Sequence, residues 1–272
     1  MDFKEYEKIA SRIRKDIIEE VHRAGSGHPG GSLSAADIVT ALYFREMNID
    51  PENPKMKGRD KFVLSKGHAA PVQYAALAEK GFLPKEELAT LRKLGSRLQG
   101  HPNMNKVPGV EMSTGSLGQG FAVCVGMALA GKMDKEEGRI YTLLGDGELQ
   151  EGLIWEAAMA SAHYKLDNLC VIVDWNGLQI DGSNDDVMTV RPIDEKFKAF
   201  GFNVLVIDGH DFGQIFEAFD KARECKGKPT AIIAKTHKGR GVSFMEDNAG
   251  WHGKAPDDEQ AKKAIEELGG EL

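Results

Sequence analysis

Residues 139–176 read RIYTLLGDGELQEGLIWEAAMASAHYKLDNLCVIVDWN. Two apolar runs, 139–144 and 168–175, flank a helix-forming segment, LIWEAAMASAHYK, and each run empties into a loop: GDGELQEG after the first, NGLQIDG after the second. Strands that are apolar throughout, alternating with helices, are buried on both faces. That is the condition of a parallel sheet whose crossovers are right-handed and whose ligands bind beyond the carboxyl ends of the strands. The pattern continues with FNVLVI (202–207), a helix from about Phe212 to Cys225, and TAIIAK (230–235). The fold class expected is therefore α/β, a parallel sheet with helices on both faces, with the working edge where Asp146 and Asn176 fall.

Upstream, Ile9, Ile13, Ile17 and Val21 recur at helical spacing among charges and predict an amphipathic helix ending near Gly25. SGHPGGS (26–32) reads as a loop, and Ser34 as the N-cap of a helix over SAADIVTALYFREM (34–47). A Pro-rich stretch (48–60) leads to a short strand, KFVLS (61–65), then a helix from Pro71 to Lys80 and a further helical stretch from Pro84. TGSLGQGFAVCVGMALAGKM (114–133) reads as a loop turning into a buried helix with small residues for close packing. The segment 257–272 reads as a polar helix that stops. With no internal repeat or linker, residues 1–272 are expected to form one domain.

Thirty-five basic against 42 acidic residues leave a formal charge of −7, which carries no footprint of nucleic acid or anionic membrane. The N-terminus has no apolar signal core, and no run approaches the roughly 20 apolar residues of a membrane span. Cys124, Cys170 and Cys225 form no CxxC pair and read as free thiols, so a reducing, cytoplasmic location is expected. Composition becomes informative at glycine and histidine. Eight histidines and 31 glycines scattered at random give about one Gly-His pair; there are four, at His28, His68, His101 and His210, and His252 precedes Gly253. A neighbouring glycine leaves the imidazole on a loop that can approach a ligand, and the excess suggests a shared site.

Asp146 follows the strand RIYTLL and Asn176 follows NLCVIVDW, so a βαβ unit brings both to one edge. A carboxylate, an amide oxygen and a carbonyl from NGL suit a hard divalent ion that leaves positions open to phosphate oxygens, and Gly145 and Gly147 permit close approach. GDG alone is an ordinary turn. GDG after an apolar strand, with 28 residues to an Asn after the next strand, is more specific.

That spacing is similar to the thiamine diphosphate motif. SGHPGG, FVLSKGHAA, QGHP, TGSLGQG, GDGELQEGLIWEA, DWNGLQIDG, and THKGRG followed by WHGKAP occur in the order seen in the N-terminal diphosphate-binding domain of transketolases, which the chain resembles from about Ile9 to Pro256. The resemblance implies the thiamine diphosphate-binding fold. It implies thiamine diphosphate as cofactor, with Mg²⁺, or Ca²⁺ or Mn²⁺, held by Asp146, Asn176 and the Leu178 carbonyl. It further implies that Gly147 and His68 contact the diphosphate, that Lys66 and Lys238 are the cations near it, and that Gly115, Ser116 and Leu117 approach the cofactor. Leu117 and Ile180 would pack on the thiazolium side. His28 and His252 would bind substrate oxygens and assist proton transfer, His101 would add a hydrogen bond, and Glu151 would lie at the interface between active-site halves.

Splitting a ketose between its second and third carbons leaves an acyl carbanion that no ordinary side chain stabilises, so a cofactor is required. In the family the pyrimidine-binding and C-terminal domains complete the site, and neither can be located here. The expectation is therefore the N-terminal subunit of a two-chain transketolase working on sugar phosphates. The partner would be a C-terminal subunit, in an α2β2 assembly, with no nucleic-acid or membrane partner. The alternatives are another thiamine diphosphate enzyme such as deoxyxylulose phosphate synthase or the α chain of a 2-oxo acid dehydrogenase, a metal-dependent phosphohydrolase, or a non-catalytic scaffold. His22, His163, His210 and His237 are expected to be structural or solvent-facing, and Trp155 and Trp175 to be packing residues.

Overall fold

The computed structural model describes residues 3–270. The chain opens with α1 (Lys4–Ala24), whose Ile9, Ile13, Ile17 and Val21 are all buried, and which ends as Gly25 turns into the left-handed region at φ 60°. The next segment departs from the sequence reading. Its second half is not loop: α2 (Pro29–Ser34) starts directly after His28, with Pro29 at a first-turn position where its missing N–H costs nothing. Ser34 is consequently no N-cap. It closes α2, and its Oγ donates to Gly31 O at 3.2 Å and to Asp174 Oδ2 at 2.5 Å. The helix beyond is α3 (Ala36–Ala41), continued by a π turn over 42–46.

The remaining elements are β1 (Lys61–Leu64), α4 (Ala70–Lys80), α5 (Gln119–Asp134), β2 (Ile140–Gly145), α6 (Gly152–His163), β3 (Leu169–Trp175), the ribbon β4 (Leu178–Gln179) and β5 (Gly182–Ser183), α7 (Asn184–Val187), α8 (Ile193–Ala199), β6 (Asn203–Asp208), α9 (Phe212–Glu224), β7 (Thr230–Lys235) and α10 (Asp258–Glu267). The stretch after Pro84 is a 3₁₀ segment over 85–90. α5 is half-buried: Phe121, Cys124 and Ala128 face inward while Met133 is 75% exposed. The loop expected over NGLQIDG holds the β4–β5 ribbon.

Five strands form one parallel sheet in the order β1-β2-β3-β7-β6. Alternate side chains feed two separate cores. Phe62, Leu64, Tyr141, Leu143, Cys170, Ile172 and Ile232 point to the layer of α1, α3, α4 and α9. Val63, Leu144, Leu169, Val171, Val173 and Ile233 point to α5, α6 and α8. Helices on both faces explain why the strand interiors are apolar but for Thr142, the other polar residues falling at the strand ends. One of these end residues matters: Asp174, fully buried near the end of β3.

The register fixes the working edge. Gly145 pairs with Asp174, and Trp175 with Lys235. Asp146, Asn176 and the segment Thr236–Lys238 therefore leave neighbouring strands at the same level, with Ser65–His68 emerging from β1 on the far side of β2.

Candidate active site

Two buried carboxylates that the sequence reading passed over tie this edge together. Asp174 accepts from Lys66 Nζ, from Ser34 Oγ, from Thr236 Oγ1 and, at 3.4 Å, from Asn176 Nδ2. One side chain thus joins α2, the ends of β1 and β7, and the loop after β3. Burial alone would raise its carboxyl, but the adjacent Lys66 ammonium and the hydrogen bonds bring it below the usual range. Glu148 accepts from Ser65 Oγ at 2.5 Å, Gly118 N at 2.8 Å and Gly145 N at 3.0 Å, fixing the ends of β1 and β2 to the start of α5; its burial raises its carboxyl. The signal for both was available: a carboxylate at the mouth of an apolar strand has to be paired.

Close backbone approach completes the frame. A Cβ at Gly67 would sit 2.6 Å from Thr114 Oγ1 and 2.7 Å from Gly115 N, so only glycine lets the 65–69 turn meet the 114–118 loop. Gly115 has φ 155°, and a Cβ there would press on the His101 ring at 3.1 Å.

Between these segments lies a cleft of about 320 Å³. Every candidate site residue lines it except Ser116, which is exposed beside it, and His101, which is also exposed and whose ring lies against Gly115. His28, His68 and His252 form a triangle with ring centroids 5.1–5.5 Å apart. Asp146 accepts from Gly147 N at 2.8 Å and Gly177 N at 2.5 Å, Asn176 Oδ1 accepts from Leu178 N at 3.1 Å, and Lys238 Nζ donates to the Leu178 carbonyl at 3.2 Å. Lys66, only 2% exposed, also donates to Gly31 O at 2.8 Å, so its charge is spent on Asp174 and the backbone and it is no solvated loop lysine. Ile180 is 64% exposed on the rim, Leu117 is half-buried in the wall, and Glu151 is exposed.

The site holds its imidazoles away from their ordinary solution behaviour. Burial, with Arg92, His101 and Lys238 nearby, lowers His28 to about 4; burial with Lys238, His28 and Lys66 lowers His252 to about 3. His68 lies well below its ordinary value for the same reasons, and burial and Arg92 lower His101. His28, His68 and His252 are therefore neutral at pH 7. Burial pushes Asp146 up to about 6, helped by Asp174, and pulls Lys238 down to about 8, helped by Lys66. Among the described residues no three His, Cys, Asp or Glu side chains gather to hold an ion. A cation beside Asp146 would rest on one carboxylate, an amide oxygen and a main-chain carbonyl.

The other histidines lie elsewhere. His210 Nδ1 meets Asp37 at 2.7 Å while its Nε2 accepts from His237 N, His237 pairs with Asp247, and His22 Nδ1 meets Pro256 O. Trp155 stacks on Phe200 at 5.5 Å. The three cysteines are free thiols, and among the described residues no helix is long and apolar enough to cross a membrane.

Residues 5–271 match the family described as transketolase, thiamine diphosphate binding domain. The chain is 47% identical over 259 residues to the 6-deoxy-6-sulfo-D-fructose transketolase subunit SqwG of Clostridium sp. (strain MSTE9), covering 95% of this chain and 94% of that protein. It is 44% identical over 268 residues to an apulose-4-phosphate transketolase subunit of Phocaeicola vulgatus, covering 98% of this chain and 95% of that one. Among solved structures, transketolase from Campylobacter jejuni superposes with a TM-score of 0.95 at 37% identity, over all of this chain and 44% of that one. The chain thus spans nearly the full length of the two subunits but less than half of the single-chain enzyme. By fold, by sequence and by the residues gathered at its sheet edge, this chain belongs to the transketolase thiamine diphosphate binding domain family.

Proposed function

We propose that this chain is the N-terminal, diphosphate-binding subunit of a two-chain transketolase, transferring a two-carbon ketol unit from a ketose to an aldose. A single observation carries the reading: Asp146, Asn176 and the Leu178 carbonyl leave the sheet beside three converging imidazoles and a buried lysine. The residues fit a diphosphate with a hard cation. A Cβ at Gly147 would lie 3.2 Å from Gln179 Cβ, so the glycine keeps a cradle open; the Leu178 carbonyl already attracts a positive group; and the oxygen-only donor set suits Mg²⁺, with Ca²⁺ or Mn²⁺ of the same class. Buried Nδ1 atoms of His28 and His252 have no protein partner.

Bound thiamine diphosphate supplies the electron sink that the carbon–carbon cleavage needs. The chain's own residues bind and orient. Asp146, Asn176 and the Leu178 carbonyl would hold the cation, Lys238, His68 and Gly147 the diphosphate, and Gly115, Ser116, Leu117 and Ile180 the ring side. Lys66 acts through Asp174. His28 and His252, neutral in the bare protein, and His101 beside them would donate and accept hydrogen bonds at substrate hydroxyls and assist proton transfer there. Glu151, exposed on the cleft wall, faces the partner's half of the site.

Residues 1–272 form one domain in this reading, and a partner chain supplies the pyrimidine-binding and C-terminal domains, in an α2β2 assembly in the cytoplasm. The two shorter relatives are named for ketoses bearing a sulfonate or a phosphate, which supports an anionic sugar as substrate.

The test is calorimetric titration of thiamine diphosphate with Mg²⁺ into the wild type and Asp146→Ala/Asn176→Ala. Measurable affinity in the wild type, lost in the double variant, is expected; equal affinity in both refutes the site. Ketol transfer by the purified single chain refutes the division of the enzyme between two chains.

A further inference from the structure

Asn184 drew no attention in the sequence. It opens α7 just after the β4–β5 ribbon and is 3% exposed. Its backbone N–H donates to Gly177 O at 2.9 Å, and the Gly177 N–H in turn donates to Asp146 Oδ2, so the residue braces the peptide that holds the Asp146 carboxylate. The side chain turns the same way. Its Oδ1 would lie 3.5 Å from a Cβ on Gly147, and its amide eases the rise in the Asp146 carboxyl that burial and Asp174 cause. Yet neither Oδ1 nor Nδ2 has a protein hydrogen bond of good geometry. A buried amide left unpaired at both ends is unfavourable, and an apolar side chain of similar size would avoid that cost. The bare protein therefore carries, close to Asp146, a buried amide whose donor and acceptor make no hydrogen bond of good geometry.

We propose that Asn184 is a positioning residue for the diphosphate and cation site, its amide serving the Asp146 carboxylate once a hard divalent cation is in place. The inference rests on the function proposed above and names one further residue of that site. Asn184 does not line the cleft, so it acts through Asp146 and Gly147 and not by touching substrate. Residues behind a metal ligand set its orientation and basicity, and their loss weakens metal binding by about 10–100-fold.

The test uses the full-length chain with Mn²⁺ as the probe, its free and bound forms counted by electron paramagnetic resonance in the presence of thiamine diphosphate. Asn184→Ala keeps the backbone bond to Gly177 and removes only the amide. It is expected to bind Mn²⁺ about 10–100-fold more weakly, while the melting temperature of the cofactor-free protein holds or rises because two unpaired buried groups are gone. Mn²⁺ affinity within twofold of the wild type overturns the inference. So does a melting temperature that falls along with the affinity, which marks a merely structural residue. A wild type that retains no Mn²⁺ with thiamine diphosphate overturns the proposed function and this inference with it; equal retention by wild type and variant overturns this inference alone.

Discussion

Replacing Lys66 by Met removes the ammonium from the most deeply buried ion pair of the working edge. Lys66 is 2% exposed and Asp174 is 0% exposed. In the variant Asp174 keeps two hydroxyl donors and the long Asn176 contact, but no positive charge, and Gly31 O loses its donor. Breaking one side of such a pair costs about 3–5 kcal/mol, because a charge is stranded, whereas removing both partners is far milder. For a chain of this size each kcal/mol moves the melting temperature by roughly 2–4 °C, so Lys66→Met should melt on the order of 10 °C lower. Lys66→Met/Asp174→Asn, which leaves an acceptor for Ser34 and Thr236 but no charge, should recover more than half of that loss. Urea unfolding of the two single variants and the double variant closes the cycle, with a coupling energy of at least about 2 kcal/mol expected between neighbours in one network. A shift under about 2 °C for Lys66→Met, below what even one kcal/mol would give, or additive single effects, would refute the view that this pair ties the edge together.

Three further outcomes follow from the same geometry. His28 and His252 are held neutral, so the unfolded chain takes up more protons below about pH 6.5 and stability must fall from there toward pH 4; thermal melts across that window should show a shallower slope in His28→Asn/His252→Asn. Lys238, at about 8 in the bare protein, must be charged to meet a diphosphate, so thiamine diphosphate affinity should decline above pH 8, and titrations from about pH 7 to 9.5 should show that decline disappear in Lys238→Met. Glu148→Ala strands the buried Gly118 N–H, the part-buried Gly145 N–H and the Ser65 hydroxyl, and should lower unfolding free energy by about 2–4 kcal/mol in urea.

The sheet was readable because apolar strands ending at GDG and at WNG leave little choice of architecture. The cleft was readable because glycine pairs with histidine on the loops that form it. What stayed hidden has a common cause. Ser34 looks like a cap in one dimension, yet its hydroxyl is taken by Asp174, 140 residues away, and a local rule cannot see that competitor. The depressed imidazoles follow from three rings and two ammonium groups sharing one enclosure, which only the fold creates. Asn184 was silent because no pattern marks an amide whose importance lies in lacking a partner. Asp174 and Glu148 could have been suspected from the rule that buried charge is paired, though not which partners they find.

The sheet is also lopsided. β6 occupies an outer edge and sends no residue into the cleft, and the exposed bend at 226–228, between α9 and β7, lies with it away from the chemistry. That corner is the natural place for an engineer to graft a fluorophore, an affinity handle or a new chain opening, leaving the rim of the cleft undisturbed.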